Sequence, residues 1–405
     1  MTLHDHIATI KAGMRIFSVA SPRLIWKFMY NFGWHSFLSM NAFEKRLAKG
    51  EPFFPAFLMI SVTEACNLAC KGCWVSQGGH RQLSLKQLDG IIREGKKKGS
   101  YFYGILGGEP LLYKGLLDIL EKHSDCYFQL FTNGTMITEE VAQRLKKMGN
   151  VTPLISIEGL EEESDRRRQR TEVFSRTLNG VRACRKAGLI FGAACSICMS
   201  NYDDLVNRKY IERIAKEGAM YLWYYIYRPV GAEPHSENAL TQEKIRSLRS
   251  FIVEQRKDAP LILIDTYWDD KGKAMCPGAT GMSHHISPSG ALEFCPPVQM
   301  ATDFLNEDAS NLAEVCNSAF LARMRGEVAA ITRGCILMDH PDELVNIISQ
   351  EPEAKDTTSR GTVMEEYRNL RKVASHDMQE EAIPEQSIFY KFLKKRYFFG
   401  FGAYG

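Results

Sequence analysis

Cys66, Cys70 and Cys73 stand in Thr63-Glu-Ala-Cys-Asn-Leu-Ala-Cys-Lys-Gly-Cys-Trp74, a C-x3-C-x2-C spacing with no fourth cysteine nearby. A structural zinc site closes a tetrahedron with four ligands. A cubane [4Fe–4S] cluster held by three thiolates leaves one iron open to a substrate or cofactor, and an open iron implies chemistry. On spacing alone, zinc with a distant fourth ligand stays open. Disulfides are disfavoured, because a chain of 405 residues needs no stapling. The first residues include Asp5 and lack the apolar run of a signal peptide.

Four further segments follow in order: Gly107-Gly-Glu-Pro110, Thr132-Asn-Gly-Thr135, Ser156-Ile-Glu-Gly159 and Tyr227-Arg-Pro-Val-Gly231. With the three cysteines just after the apolar run Phe57–Val62, they resemble the signature of the radical S-adenosylmethionine (SAM) enzymes across residues 57–231. The resemblance implies a cluster on Cys66, Cys70 and Cys73 whose open iron chelates SAM. Reductive cleavage then gives a 5′-deoxyadenosyl radical that takes hydrogen from a substrate. It also implies SAM contacts from Gly107, Gly108, Glu109, Pro110, Asn133, Ser156, Arg168 and Tyr227, and a flavodoxin- or ferredoxin-type electron donor. Glu109 is expected to receive the SAM ammonium, and the run Arg166-Arg-Arg168 leaves the carboxylate-binding arginine open among three. Two positions depart from the family pattern: Gly72 replaces an aromatic residue before the third cysteine, and Glu158 replaces an aspartate.

A second cysteine set lies downstream. Cys276, Gly290 and Cys295 form C-x13-G-x4-C, and Cys335 ends Thr332-Arg-Gly-Cys335. This resembles the C-terminal extension called SPASM in full and twitch in halved form, and implies an auxiliary [4Fe–4S] cluster on Cys276, Cys295 and Cys335. Cys316 is a further candidate but reads first as a core residue. Asp339, His340, His284 and His285 are candidates for a fourth ligand. Cys126, Cys184, Cys195 and Cys198 read as buried structural residues. Cys195 and Cys198 stand three apart on a strand pattern and so point to opposite faces.

These groups need elements to hold them. Short β-branched or aromatic runs near 57–63, 101–106, 127–132, 151–157, 189–199 and 220–227 alternate with helical patterns such as Leu85–Lys98, Val141–Met148 and Asp203–Lys216. Such alternation indicates a parallel sheet. The expected fold is α/β: a partial (β/α)6 TIM-like barrel followed by a small α+β twitch/SPASM-like domain, with helical N- and C-terminal extensions. Reactive groups of such barrels sit at the C-terminal ends of the strands, where every motif above falls. The expected division is 1–55 amphipathic extension, 56–235 barrel, 236–260 connecting helix, 261–350 auxiliary-cluster domain, and 351–405 polar linker with an aromatic-basic tail.

A net charge of +3 and ordinary apolar content point away from nucleic acid. No apolar run reaches transmembrane length. Oxygen-labile clusters imply a reducing cytosol. Residues 6–43 carry no acidic side chain but include Lys11, Arg15, Arg23 and Lys27. Ser21-Pro22 reads as a helix start placing Leu24, Ile25, Phe28, Met29 and Phe32 on one face, with Trp26, Tyr30 and Trp34 nearby. Residues 388–401 mix aromatics with four bases. Two readings stand: both segments pack on the barrel, or they dock on the inner face of a membrane and suit a lipid-like substrate. The alternatives in function are a radical SAM maturase of a ribosomal peptide and a non-catalytic iron–sulfur or metal-binding protein.

Overall fold

The computed structural model describes residues 20–76, 78–379 and 381–396. Lys11 and Arg15, and the aromatics after residue 396, lie outside them. Six runs form parallel strands: β1 (Phe57–Ser61), β2 (Phe102–Leu106), β3 (Tyr127–Thr132), β4 (Val151–Ser156), β5 (Gly192–Ile197) and β6 (Tyr221–Ile226). All six residues of β6 are buried. Strands covered on both faces carry apolar side chains throughout, without alternation.

The helices between them are set by their caps. Ser84 and Gln87 form a capping box at the start of Leu85–Lys97. Thr138 caps Glu139–Met148, which Gly149 ends in the left-handed conformation. The pattern expected as one helix over 203–216 divides. Asn207 donates its amide to the carbonyls of Asp203 and Asp204, and its side-chain oxygen accepts from Tyr210 N. That closes a short turn at Tyr202–Leu205 and opens the helix Arg208–Glu217.

The sheet does not stop at residue 235. Its order is β7-β6-β5-β4-β3-β2-β1-β8-β9, where β7 is Ile262–Ile264, β8 Ser283–Ile286 and β9 Leu292–Glu293. β8 pairs parallel with β1, Phe57 opposite Ser283 and Ile60 opposite Ile286. The segment expected as a separate domain thus extends the barrel sheet at both ends. At the β7 edge, Leu263 N donates to Tyr390 Oη at 3.1 Å, and Arg256 donates to Leu263 O. The edge strand has its backbone groups occupied by side chains, one way of blunting an exposed edge.

The N-terminal helices α1 (Pro22–Lys27) and α2 (His35–Lys49), joined through a π-helical stretch Phe28–Trp34, cross the other end of the barrel. Lys27 Nζ donates to Met148 O, Asn31 Nδ2 to Ser124 O, Ser39 Oγ to Ala56 O, and Arg46 to Lys98 O and Phe54 O. All these carbonyls precede strands, so this helical stretch covers the N-terminal ends of β1 to β4. Leu24, Ile25, Phe28 and Phe32 pack inward as expected. Met29 does not: it is 59% exposed, beside Trp26, Tyr30, Trp34 and Leu38. The wider π turn shifts the helical phase and rotates it outward.

The C-terminal segment is tied in by buried charge. Asp265 and Glu385 meet Arg249, Arg256 and Lys394, all nearly inaccessible. Burial alone would raise the Asp265 carboxyl, but Arg256, Lys394 and Arg249 hold it well below the usual carboxylate range. Its contribution to stability is therefore complete above the unfolded carboxylate value near pH 4 and is lost as pH falls further. Asp265→Asn leaves three buried cations facing one carboxylate and is expected to cost about 3–5 kcal/mol. The denaturation midpoint should fall, and residues beyond 380 should become cleavable by protease before the barrel; unchanged protection of that segment would contradict the assignment.

Candidate functional site

Residues 64–76 carry the first three cysteines and form no helix, and their one strand-like contact lies at the start, where Glu64 N donates to Arg81 O. The loop is held from outside. Gly108 N donates to Thr63 O at 2.7 Å and Glu109 N to Ala65 O at 2.8 Å. A side chain at Gly108 would collide with the carbonyls of Glu64 and Ala65, so the close approach of the two loops requires glycine. Lys71 N donates to Arg167 O, and Arg170 Nη1 to Asn67 O. From the far end of the chain, Arg360 donates to Trp74 O and Ser76 Oγ.

A cleft opens at the C-terminal ends of the strands, lined by Cys66, Cys70, Cys73, Gly107, Gly108, Asn133, Ser156, Arg168 and Tyr227. Burial pushes the Cys66 thiol up to about 11 and the Cys73 thiol to about 12, with Cys70 acting on both. Thiols so placed stay protonated unless a metal takes them as thiolates. The cleft lining holds three cysteines and no histidine or further cysteine; structural zinc takes four ligands, whereas a cubane on three thiolates keeps one iron open. The donor set fits a cluster.

Glu109 and Pro110 are not in the lining. The buried Glu109 carboxylate accepts from Thr132 Oγ1 and Asn133 N, each at 2.8 Å, and from Leu111 N. It thereby fixes Thr132 and Asn133, which do line the cleft. The three arginines separate. Arg166 pairs with Glu163 at the surface. Arg167 pairs with Glu158 at 2.7 Å and lies over the Tyr227 ring. Arg168 donates to Ser156 O at 2.8 Å and keeps a buried Nε without a partner. That unsatisfied donor in the cleft suits an anionic ligand group.

The departure at Gly72 has a steric account. Its φ is +67°, and a Cβ there would coincide with the Tyr227 hydroxyl, which donates to Pro234 O at 2.7 Å. Tyr227 fills the space next to the third cysteine.

A second, smaller cavity is lined by Cys276, Cys295, Cys335, Arg228, Tyr267 and His376. Cys276 and Cys335 each precede a short helix. Burial pushes these thiols up, while backbone N–H groups of Ala279 and Gly278 near Cys276, of Leu337 near Cys335 and of Val298 near Cys295 favour their thiolates. N–H donors to sulfur are a feature of iron–sulfur ligation, so this set also fits a cluster. Cys316 lies outside the cavity, buried near Arg325, Lys98 and Arg46. His284 is held by Phe294 O and Arg325, and His285 by Glu293 and Ser61, so neither is brought to the cavity. Asp339 is bound by Thr332 and Ser375, and His340 precedes the helix Pro341–Ser349. Cys195 contacts Tyr210 Oη and Cys198 contacts Ser200, in keeping with structural roles. Arg360 and His376 escaped sequence reasoning; Arg167 stood among the three arginines left open, and Arg228 stood inside the motif Tyr227–Gly231 with no role of its own.

Gly72→Ala is expected to displace Tyr227 and lower SAM affinity at least about tenfold, about 1.4 kcal/mol, while iron content stays near wild type. Equilibrium binding of SAM under anaerobic conditions checks this; unchanged affinity would contradict it.

Residues 60–217 match the family model described as the Radical SAM superfamily. The sporulation killing factor maturation protein SkfB of Bacillus subtilis (strain 168) is 28% identical over 173 residues, covering 42% of this chain and 42% of SkfB. The match therefore spans less than half the length of SkfB. A GTP 3′,8-cyclase of Alkaliphilus metalliredigens is 22% identical over 348 residues, 81% of this chain and 96% of that protein. Among solved structures, SuiB of Streptococcus suis bound to precursor peptide SuiA aligns with a TM-score of 0.58 at 18% identity, covering 71% of this chain and 70% of SuiB. Native anSMEcpe with bound AdoMet gives 0.53 at 14% identity, covering 85% and 96%. These two likenesses concern the fold.

Proposed function

We propose that this chain, whose residues 60–217 match the Radical SAM superfamily model, is a radical SAM enzyme with an auxiliary cluster. It takes hydrogen from a substrate at the C-terminal mouth of the barrel. The observation that carries this reading is the single cleft joining Cys66, Cys70 and Cys73 to Gly107, Gly108, Ser156, Arg168 and Tyr227. When bound, the [4Fe–4S] cluster and SAM supply a carbon radical able to attack an unactivated C–H bond. The chain's own residues bind and aim. The three thiolates hold the cluster, Arg168 faces the SAM carboxylate, and Tyr227 with Gly72 shapes one wall. Phe131, Tyr225 and Val230 give the cleft an apolar wall that excludes water. The electron comes from a flavodoxin- or ferredoxin-type donor.

Anaerobic reduction with SAM should yield 5′-deoxyadenosine, and Cys66→Ala should abolish it. A fully loaded wild type that forms none would sink the reading and favour the non-catalytic iron–sulfur alternative.

For the substrate, the placement of the N-terminal helices favours the aqueous side. Trp26 is 68% and Trp34 52% exposed, at the strand ends opposite the cleft. Arg23, Lys27, Lys146 and Lys147 lie along the same face. Aromatic and basic side chains together suit an anionic membrane interface, and no helix of the described residues is long and apolar enough to cross a membrane. Docked this way, the mouth opens away from the bilayer. That favours a peptide arriving from the aqueous phase over a lipid drawn from the membrane. The wild type should float with anionic vesicles, and a Trp26→Ser/Tyr30→Ser/Trp34→Ser variant should stay behind at unchanged iron content. Equal behaviour of both would remove the membrane contact.

A further inference from the structure

Arg228 follows β6 and lines both spaces, the cleft of the first three cysteines and the cavity of Cys276, Cys295 and Cys335. It is 8% exposed. Its guanidinium lies 5.5 Å from the Tyr267 ring centre, in the same cavity wall as Cys335 and Cys295. Among the described residues it has no carboxylate partner, while other buried arginines do: Arg249 and Arg256 meet Asp265 and Glu385, and Arg167 meets Glu158. Arg168 is the other exception, and it faces the SAM cleft. A guanidinium removed from water without an anion is costly, so a buried one signals an anion at that position.

The anion that fits is the auxiliary cluster. Three thiolates carry more negative charge than the iron–sulfide core carries positive, so the bound centre is a net anion, and each reduction adds one more negative charge. We propose that Arg228 is the counter-ion of the auxiliary cluster: set in the wall of the cavity that Cys276, Cys295 and Cys335 share, it stabilises loading of the centre and raises its reduction potential. The reduced state, being more negative, gains more from a fixed neighbouring cation than the oxidised state. Because Arg228 also borders the SAM cleft, a change of charge on either side is felt by the other through one side chain. This role rests on the reading that Cys276, Cys295 and Cys335 hold a cluster.

Reconstituted full-length wild type, Arg228→Met and Arg228→Lys are titrated anaerobically with reductant. Each cluster is followed by electron paramagnetic resonance, and iron is counted per chain. In Arg228→Met the auxiliary midpoint should move to more negative potential, with the midpoint of the cluster on Cys66, Cys70 and Cys73 unchanged. Arg228→Lys should lie nearer wild type. An Arg228→Met protein carrying both clusters at an unshifted auxiliary midpoint overturns the proposal. If Arg228→Met fails to load the auxiliary centre, a loaded Arg228→Lys supports the need for charge, and an unloaded one overturns it. A wild type holding only about four irons per chain would remove the auxiliary-cluster reading itself.

Discussion

The site depends on pinning a loop that has almost no regular structure of its own. From Glu64 to Ser76 the chain forms no helix, and after Glu64 no strand pairing, yet it must hold three thiols around one open cleft. Its position comes from outside: the backbone clasp of Gly108 and Glu109 on Thr63 and Ala65, the carbonyl of Arg167 on Lys71, and Arg360 from the far end of the chain. Asn67 extends the arrangement sideways, accepting from Asn133 and donating to Thr135. Glu109 lies beneath it all, since its buried carboxylate fixes Asn133, which Asn67 meets. Loss of any one tie loosens the spacing of sulfurs that a cubane requires.

Buried charge is the second organising theme. Cations and anions are removed from water together at two places. Beneath the C-terminal segment, Asp265 and Glu385 answer Arg249, Arg256 and Lys394 with side chains from three parts of the sequence. In the cleft, Arg167 is answered by Glu158, while Arg168 and Arg228 are not answered by protein. The contrast separates structural ion pairs, complete in the polypeptide, from cations whose partners arrive with cofactors.

Much of the fold was legible because its signals are local. The six barrel strands are apolar runs, and the helices between them announce themselves through Ser84, Thr138 and their terminal glycines. The cysteine spacing and the Gly107–Pro110 motif are equally local. What escaped was long-range or subtle. β8 reads Ser-His-His-Ile, too short and polar to betray a partner more than 200 residues earlier. His284 and His285 resemble metal ligands by type, and only the fold reveals that Arg325, Glu293 and Ser61 already engage them. Arg228 is one unmarked position inside a motif. The outward turn of Met29 follows from a π-helical stretch that no residue there announces.

The pairing of β1 with β8 also orders events in time. A ribosome delivers β1 early, but one of its two flanking strands is not made until residue 286, and the arginine that latches the cysteine loop stands at 360. Contacts this far apart in sequence form late and slowly. Until they form, the loop lacks its last restraint and the sulfurs their final spacing. The reactive loop thus takes its last restraint from a residue made near the end of synthesis.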